Sequence, residues 1–225
     1  MTDEYAIAHA GHTAYMRHAS DTDGHILNPW RAGQYYDIRT LRLIADLRVR
    51  GLYVDVGAHV GNHSTFFARH CPVTEIVAIE PQPASVETLR VNLGRNVDVP
   101  WQVHAVALSD HDGAGWLTAF APTNVGASAL VPQRADRQAV VLRAGDNLVA
   151  NSLHIGLIKL DIEAGELAAL AGLTQALKRH HPVLILEAHT PELAAAYMAF
   201  LGPLGYVPIP AFTSINRGYR WKGKP

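Results

Sequence analysis

The sequence predicts an α/β protein built on a mostly parallel sheet, with helices on both faces and an antiparallel strand near the C-terminus. Three observations carry this. Short apolar runs at Leu52–Val56, Glu75–Glu80, Gly156–Asp161 and Pro182–Glu187 alternate with stretches of helical periodicity, the order that gives parallel strands joined by crossover helices. The first run is followed by Gly57 and Gly61 and then by a segment able to start a helix. Glycine there lets backbone approach a ligand while helix N–H groups face it. The third observation is that all four runs end in an acid, namely Asp55, Glu80, Asp161 and Glu187. Buried acids are costly unless paired or in use, and in such sheets ligands bind beyond the carboxyl ends of the strands.

Residues Met1 to Arg31 show no clean periodicity and carry His9, His12, His18 and His25. Their irregular spacing without cysteine points to surface and loop histidines rather than a metal tract. From Asp37 to Leu47, the positions Ile38, Leu41, Ile44, Ala45 and Leu47 mark one helical face. After the glycine loop, Ser64 to Arg69 continues as helix, offers Phe66 and Phe67 to the core, and ends at Cys71-Pro72. A helix is expected from Ala84 to Asn92 with Gly94 as its stop, then a third strand from Trp101 to Leu108. Between Asp110 and Val141, glycines and prolines punctuate short apolar runs. Trp116–Phe120 and Ala139–Leu142 are expected strands of an insert, joined through the turn at Asn124–Ser128. A helix from Leu167 should break at Gly172, and Thr190-Pro191-Glu192 is a helix start with a capping hydroxyl and proline at the first position. Tyr206–Ile209 and Tyr219–Trp221 can close the sheet as an antiparallel pair. The basic residues Arg217, Arg220, Lys222 and Lys224 around them read as a solvated edge.

Glu80 ends the second strand, where a carboxylate meets a ribose diol. A dinucleotide loop would carry three glycines, but the segment reads Asp55-x-Gly57-x-x-x-Gly61 with His59 in the middle position. An acid two residues before the first glycine repels a pyrophosphate and suits a cation. The expected cofactor is therefore S-adenosylmethionine, with its sulfonium and ammonium near Asp55 and its ribose on Glu80.

Val54-Asp55-Val56-Gly57-Ala58-His59-Val60-Gly61-Asn62 resembles the first motif of the FkbM family of S-adenosylmethionine-dependent methyltransferases, with His59 where Asn is usual. Val106–Asp110 resembles the family's segment after the third strand, and Ile158-Lys159-Leu160-Asp161-Ile162-Glu163-Ala164-Gly165-Glu166 its K-x-D-x-E-G-x-E signature. The resemblance implies a Rossmann-like class I methyltransferase fold with a seven-stranded sheet. Residues 1–48 would form a helical and irregular N-terminal cap, and residues 49–225 the methyltransferase domain, within one globular unit. It also implies cofactor contacts from Asp55, Gly57, Ala58, His59, Gly61, Asn62, Ser64, Glu80, Pro81, Ser109 and Asp161.

Methyl transfer from a sulfonium is an in-line displacement. The protein must align the acceptor and, for an alcohol, remove its proton. Asp161, His189 and Glu163 are the candidate catalytic residues. Alternatively, Asp161, Glu187 and His189 could hold a divalent cation such as magnesium that acidifies the attacking hydroxyl. Lys159 either pairs with a rim acid or stands partly exposed at its strand end. The expected reaction is O-methylation of a small molecule, a sugar, glycolipid or secondary metabolite in the resembling family. N-methylation of a peptide or amide nitrogen, and a non-catalytic binding module, are the alternatives.

The chain has 225 residues, 48% of them hydrophobic, enough for one good core, and a formal net charge of -1. With a pI near 6.9, no global field recruits nucleic acid. The single cysteine, Cys71, excludes an internal disulfide and fits a reducing cytoplasm. No run approaches the ~20 apolar residues of a membrane span, and no signal peptide is expected. The partners expected are a small-molecule acceptor and, in self-association, a second copy as a homodimer.

Overall fold

The computed structural model describes residues 3–118, 130–131, 137–162, 165–210, 212–213 and 215–223. Strands β1 (Glu4–His9) and β2 (His12–Arg17) open the chain, followed by helices α1 (Gly24–Arg31) and α2 (Ile38–Asp46). The first crossover units are β3 (Gly51–Val56), α3 (Asn62–His70), β4 (Val73–Ile79), α4 (Pro83–Asn96) and β5 (Trp101–His104). Strands β6 (Ala107–Ser109), β7 (Gly113–Leu117), β8 (Leu130–Val131) and β9 (Gln138–Ala144) come next, then a short helix α5 (Gly145–Leu148). The chain closes with β10 (Ile155–Leu160), α6 (Glu166–Gly172), α7 (Thr174–His180), β11 (Val183–Glu187), α8 (Pro191–Leu201), β12 (Tyr206–Ile209) and β13 (Asn216–Trp221).

The main sheet has seven strands in the order β12-β13-β11-β10-β3-β4-β5. The five from β11 to β5 are parallel, and β13 and β12 add on antiparallel. Both faces are covered, which is why the central strands read as unbroken apolar runs rather than as alternations. Along β3, Tyr53 belongs to the cluster with Phe66, Phe67, Leu89 and Leu41, while Val54 and Val56 join Leu170, Leu177, Tyr197 and Leu201. The strand order reverses direction between β3 and β10, and the carboxyl ends of these two strands form the switch point where ligands bind. Among the described residues no helix is long and apolar enough to cross a membrane.

The N-terminal segment differs from the helical and irregular cap expected of it. It begins with an antiparallel hairpin in which His9 faces His12 across Ala10 and Gly11. Both turn residues have positive φ, 45° and 82°, the conformation of a two-residue hairpin loop. Ile7, Ala14 and Met16 point inward, but Ala6 and Ala8 on the outer face blur the polar–apolar contrast that would have announced the strands. The outer edge of β2 is satisfied by side-chain amides from α4. Asn96 bonds Tyr15 N and O at 2.9 and 2.9 Å, and Asn92 bonds Arg17 N and O at 2.8 and 2.8 Å. These contacts carry α4 past Gly94 to Asn96 rather than letting it stop at the glycine.

The expected third strand, Trp101 to Leu108, is two strands. β5 pairs with β4 only to His104: Glu80 N donates to His104 O, and the next N–H on that side, that of Gln82, is taken by Glu80 Oε1 instead of by β5. β6 then leaves for a separate four-stranded sheet, ordered β6-β9-β7-β8, which contains both strands expected in the insert. Phe120, the turn at Asn124–Ser128, Glu163, Ala164 and Lys224 lie outside the described residues.

Candidate active site

A cavity of about 390 Å3 opens at the switch point. Gly57, Ala58 and His59 from the loop after β3, Glu80 and Pro81 after β4, and Asp161 after β10 line it. Gly57 has φ +79°, and a Cβ there would lie 1.9 Å from the carbonyl oxygen of Asp161. No side chain fits, so the ends of β3 and β10 meet only through glycine. The backbone N–H groups of Gly57 and Ala58 both donate to Ile79 O, and His59 N donates to Glu80 Oε2 at 2.9 Å. Gln82 N donates to the other oxygen, Oε1, at 2.9 Å. Each carboxylate oxygen of Glu80 therefore keeps a lone pair for a hydroxyl donor. Burial raises the Glu80 pKa to about 7, against the pull of those two N–H groups.

Asp55 does not line the cavity. Fully buried, it accepts a 2.6 Å hydrogen bond from Ser64 Oγ in the first turn of α3. Burial raises its pKa, and Lys159 and Ser64 oppose the rise. Ser64, Gly61 and Ser109 are likewise behind the wall rather than on it. Gly61, with φ +87°, turns the loop into α3, and Ser109 Oγ bonds Asp110 at 3.2 Å. Asn62 does line the cavity, but its amide is already engaged. Its Oδ1 accepts from Trp30 Nε1 at 2.9 Å and from Tyr36 N at 3.0 Å, while Nδ2 donates to Tyr36 O at 3.0 Å. Asn62 thus ties the start of α3 to the N-terminal segment.

Glu187, His189 and Tyr36 line the cavity together with Asp161. Lys159 is not an exposed strand-end residue: only 1% of its side chain is accessible. Its Nζ donates to Asp161 Oδ2 at 2.8 Å and lies 4.0 Å from Asp55 Oδ1. Burial alone would lower the lysine's pKa, but Asp161 and then Asp55 raise it above the ordinary value. Burial works against ionisation of Asp161 too, yet Lys159 holds that carboxyl down at about 2. His189 Nε2 lies 3.1 Å from Glu187 Oε2, with 57% of the imidazole exposed. Asp161, Glu187 and His189 do not present ligand atoms that all lie within 4.8 Å of one another. Among the described residues the group that does is His18, Asp23 and His59.

The model of the FkbM methyltransferase domain matches residues 55–208. The chain belongs to the FkbM methyltransferase family. It is 30% identical over 142 residues to Methyltransferase sdnD of Sordaria araneosa, covering 62% of this chain and 52% of that protein. It is 28% identical over 143 residues to Methyltransferase 1 of Beauveria bassiana, covering 53% of this chain and 57% of the relative. The chain thus spans about half the length of the curated relatives it matches. Among solved structures it resembles the FkbM methyltransferase of Methylobacillus flagellatus, with a TM-score of 0.57 and 20% identity over 75% of this chain and 43% of that one. Precorrin-6y C5,15-methyltransferase of Geobacter metallireducens gives a TM-score of 0.51 at 17% identity, over 83% and 89% of the two chains. At such identities these two likenesses speak for the fold, a class I methyltransferase sheet.

Sequence reasoning missed part of this FkbM domain's cavity wall. Asp23, His25 and Ile26 come from the N-terminal segment, and His63 from α3. His18, expected at the surface, is 3% exposed. His63 is also buried, and burial, then Lys159, push its pKa well below the ordinary value. The four-residue spacing from His59 was no legible signal for His63, because His59 stands in the loop before α3 with φ 50° and shares no helix face with it. The meeting of His18 and Asp23 with His59 had none either, because it depends on how the hairpin and α1 fold back over the glycine loop.

Proposed function

We propose that this FkbM domain transfers a methyl group from S-adenosylmethionine to a hydroxyl of a small molecule, a sugar, glycolipid or secondary metabolite. The observation that carries the reading is the His189–Glu187 pair on the wall of the cavity that the glycine loop and Glu80 also line. The cavity is within the range of small-molecule sites. The cradle made by Gly57, the spare lone pairs of Glu80 and the start of α3 suit an amino acid joined to a nucleoside. Glu80 and the loop from Gly57 to His59 would hold the cofactor. Asp55 acts at one remove, through Ser64, by fixing the turn into α3.

When bound, S-adenosylmethionine supplies an electrophilic methyl on a sulfonium. The chain's own residues supply alignment and a base. Asp161, held ionised by Lys159 down to about pH 2, is a poor proton acceptor and a good fixed negative charge. His189 is accessible, and Glu187 at 3.1 Å orients its ring and stabilises the imidazolium formed when it takes the acceptor's proton. Tyr36, whose hydroxyl burial raises to about 12, stays protonated and can donate a hydrogen bond to the acceptor.

The test begins with calorimetric titration of the protein with S-adenosylmethionine, S-adenosylhomocysteine and NAD. Micromolar binding of the first two, lost in Glu80→Ala, is expected; a preference for NAD would overturn the reading. An acceptor screen follows, with and without magnesium. In the active pairing His189→Ala should bind S-adenosylmethionine as tightly as the parent while turnover falls by about 10²–10⁴-fold. Undiminished turnover would remove His189 from the role of base.

A further inference from the structure

Where the N-terminal segment meets the glycine loop stands a cluster whose side chains have no role in the proposed methyl transfer. His18 Nε2 lies 3.4 Å from Asp23 Oδ2, His59 Nε2 lies 3.9 Å from the same oxygen, and the ligand atoms of the three residues lie within 4.8 Å of one another. Both imidazole Nε2 atoms are buried and accept or donate no hydrogen bond. Buried polar atoms without partners are uncommon and call for an explanation. The separations exceed ordinary N–H···O lengths. They are close to the spacing of ligands around a metal, because atoms about 2.1 Å from a tetrahedral ion lie about 3.4 Å apart.

The surroundings of His18 fit the same picture. Its Nδ1 lies 2.8 Å from Ser20 O and 3.0 Å from Ser20 N. With Ser20 N–H donating to Nδ1, the Nε2 proton faces the Asp23 carboxylate; with Nδ1–H donating to the Ser20 carbonyl, Nε2 keeps a lone pair that a cation held beside Asp23 would take up. Backbone carbonyls commonly fix metal-ligating imidazoles through their second nitrogen in this way. Asp23 is itself fully buried, and its side chain and that of His59 reach the cavity wall.

We propose that His18, Asp23 and His59 bind one divalent transition-metal ion of the zinc class, with an open coordination position toward the cavity. Two imidazoles and a carboxylate suit zinc, iron or cobalt rather than magnesium or calcium, which prefer oxygen ligands. Three protein ligands leave the fourth position for water or a bound ligand. The ion joins the segment between β2 and α1 to the glycine loop through His59, the residue that departs from the Asn usual in the family's motif. Loading it would fasten the N-terminal segment over the cofactor end of the cavity.

The test is titration of metal-stripped protein with Co2+, followed by visible absorption and then by displacement with Zn2+. Metal binding is read without turnover, so it succeeds or fails separately from methyl transfer. One equivalent of cobalt per chain should give the absorption of a low-coordinate site, and His59→Asn should bind at least about 100-fold more weakly. Asn tolerates the left-handed φ of 50° at this position, so the variant keeps the loop, and circular dichroism confirms its fold. His18→Gln provides a second loss from the opposite side of the site. The control is His12→Ala, which alters the separate group of rings where His70 meets His9 at 4.9 Å and His12 at 5.6 Å; it should leave the titration unchanged. Lack of a saturable single-equivalent signal, an unchanged signal in folded His59→Asn, or its loss in His12→Ala would each overturn the proposal.

Discussion

Two carboxylate clusters stand at the cavity, and they meet different countercharges. At the ends of β3 and β10, Asp55 and Asp161 share Lys159, a cation carried by the strand itself and hydrogen-bonded at 2.8 Å. At the N-terminal side Asp23 faces two imidazoles, His18 and His59, at 3.4 and 3.9 Å. Burial, then the neighbouring His18, hold His59 down to about 4, so that ring is neutral near pH 7. The first cluster carries its countercharge in the chain and is complete on folding. In the second, Asp23 meets imidazoles instead of a lysine, and the proposed ion from solution would be held between them. A buried charge demands a partner in either case; the proposed ion would add one to those Asp23 has within the chain.

The comparison can be broken most sharply at Lys159. Lys159→Met leaves Asp55 and Asp161 without their cation and should cost about 3–5 kcal/mol of stability near neutral pH, read by urea denaturation. A loss below about 1 kcal/mol would mean that the two acids are compensated from elsewhere. The N-terminal cluster should respond to ions instead: zinc at 100 times its dissociation constant stabilises a one-site protein by about 2.7 kcal/mol. That gain should be seen in the metal-stripped parent by thermal denaturation and be absent in His59→Asn.

A smaller effect separates the clusters by pH. The Asp161 pKa is lowered from 3.8 to about 2 in the folded protein, so its contribution to stability is fully present above about pH 4 and is lost as pH falls through about 2. The difference corresponds to about 2 kcal/mol. Acid titration of Lys159→Met should show this loss displaced upward, toward or above the ordinary carboxylate value. An unchanged acid limb would show that Lys159 does not set the Asp161 titration.

The rim of the site was legible from residue types alone. A strand buried on both faces is an apolar run, and an acid at its end stands out because packing cannot account for it; this brought out Asp55, Glu80, Asp161 and Glu187 before any coordinates. The distinction among them was not legible. Glu80 and Asp161 line the cavity, whereas Asp55 supports the loop from behind through Ser64, and a one-dimensional pattern does not tell a ligand-facing carboxylate from a buried brace. Lys159 shows the same limit. At the end of a strand it reads equally as the partner of a rim acid or as partly exposed, and only the two carboxylates converging on it decide for the pairing.

The sequence by itself determined the sheet and the line of strand ends where ligands meet it, because those follow from local periodicity, glycine geometry and the cost of burying charge, all written within a few neighbouring residues. It also carried the family motifs. Only the tertiary structure decided what lies over that edge: the hairpin of Glu4–Arg17, clasped by Asn92 and Asn96 from α4, and the meeting of His18 and Asp23 with His59. Contacts between residues some 40 to 80 positions apart leave no period in the sequence. They depend on the relative placement of whole elements, and that is settled by packing.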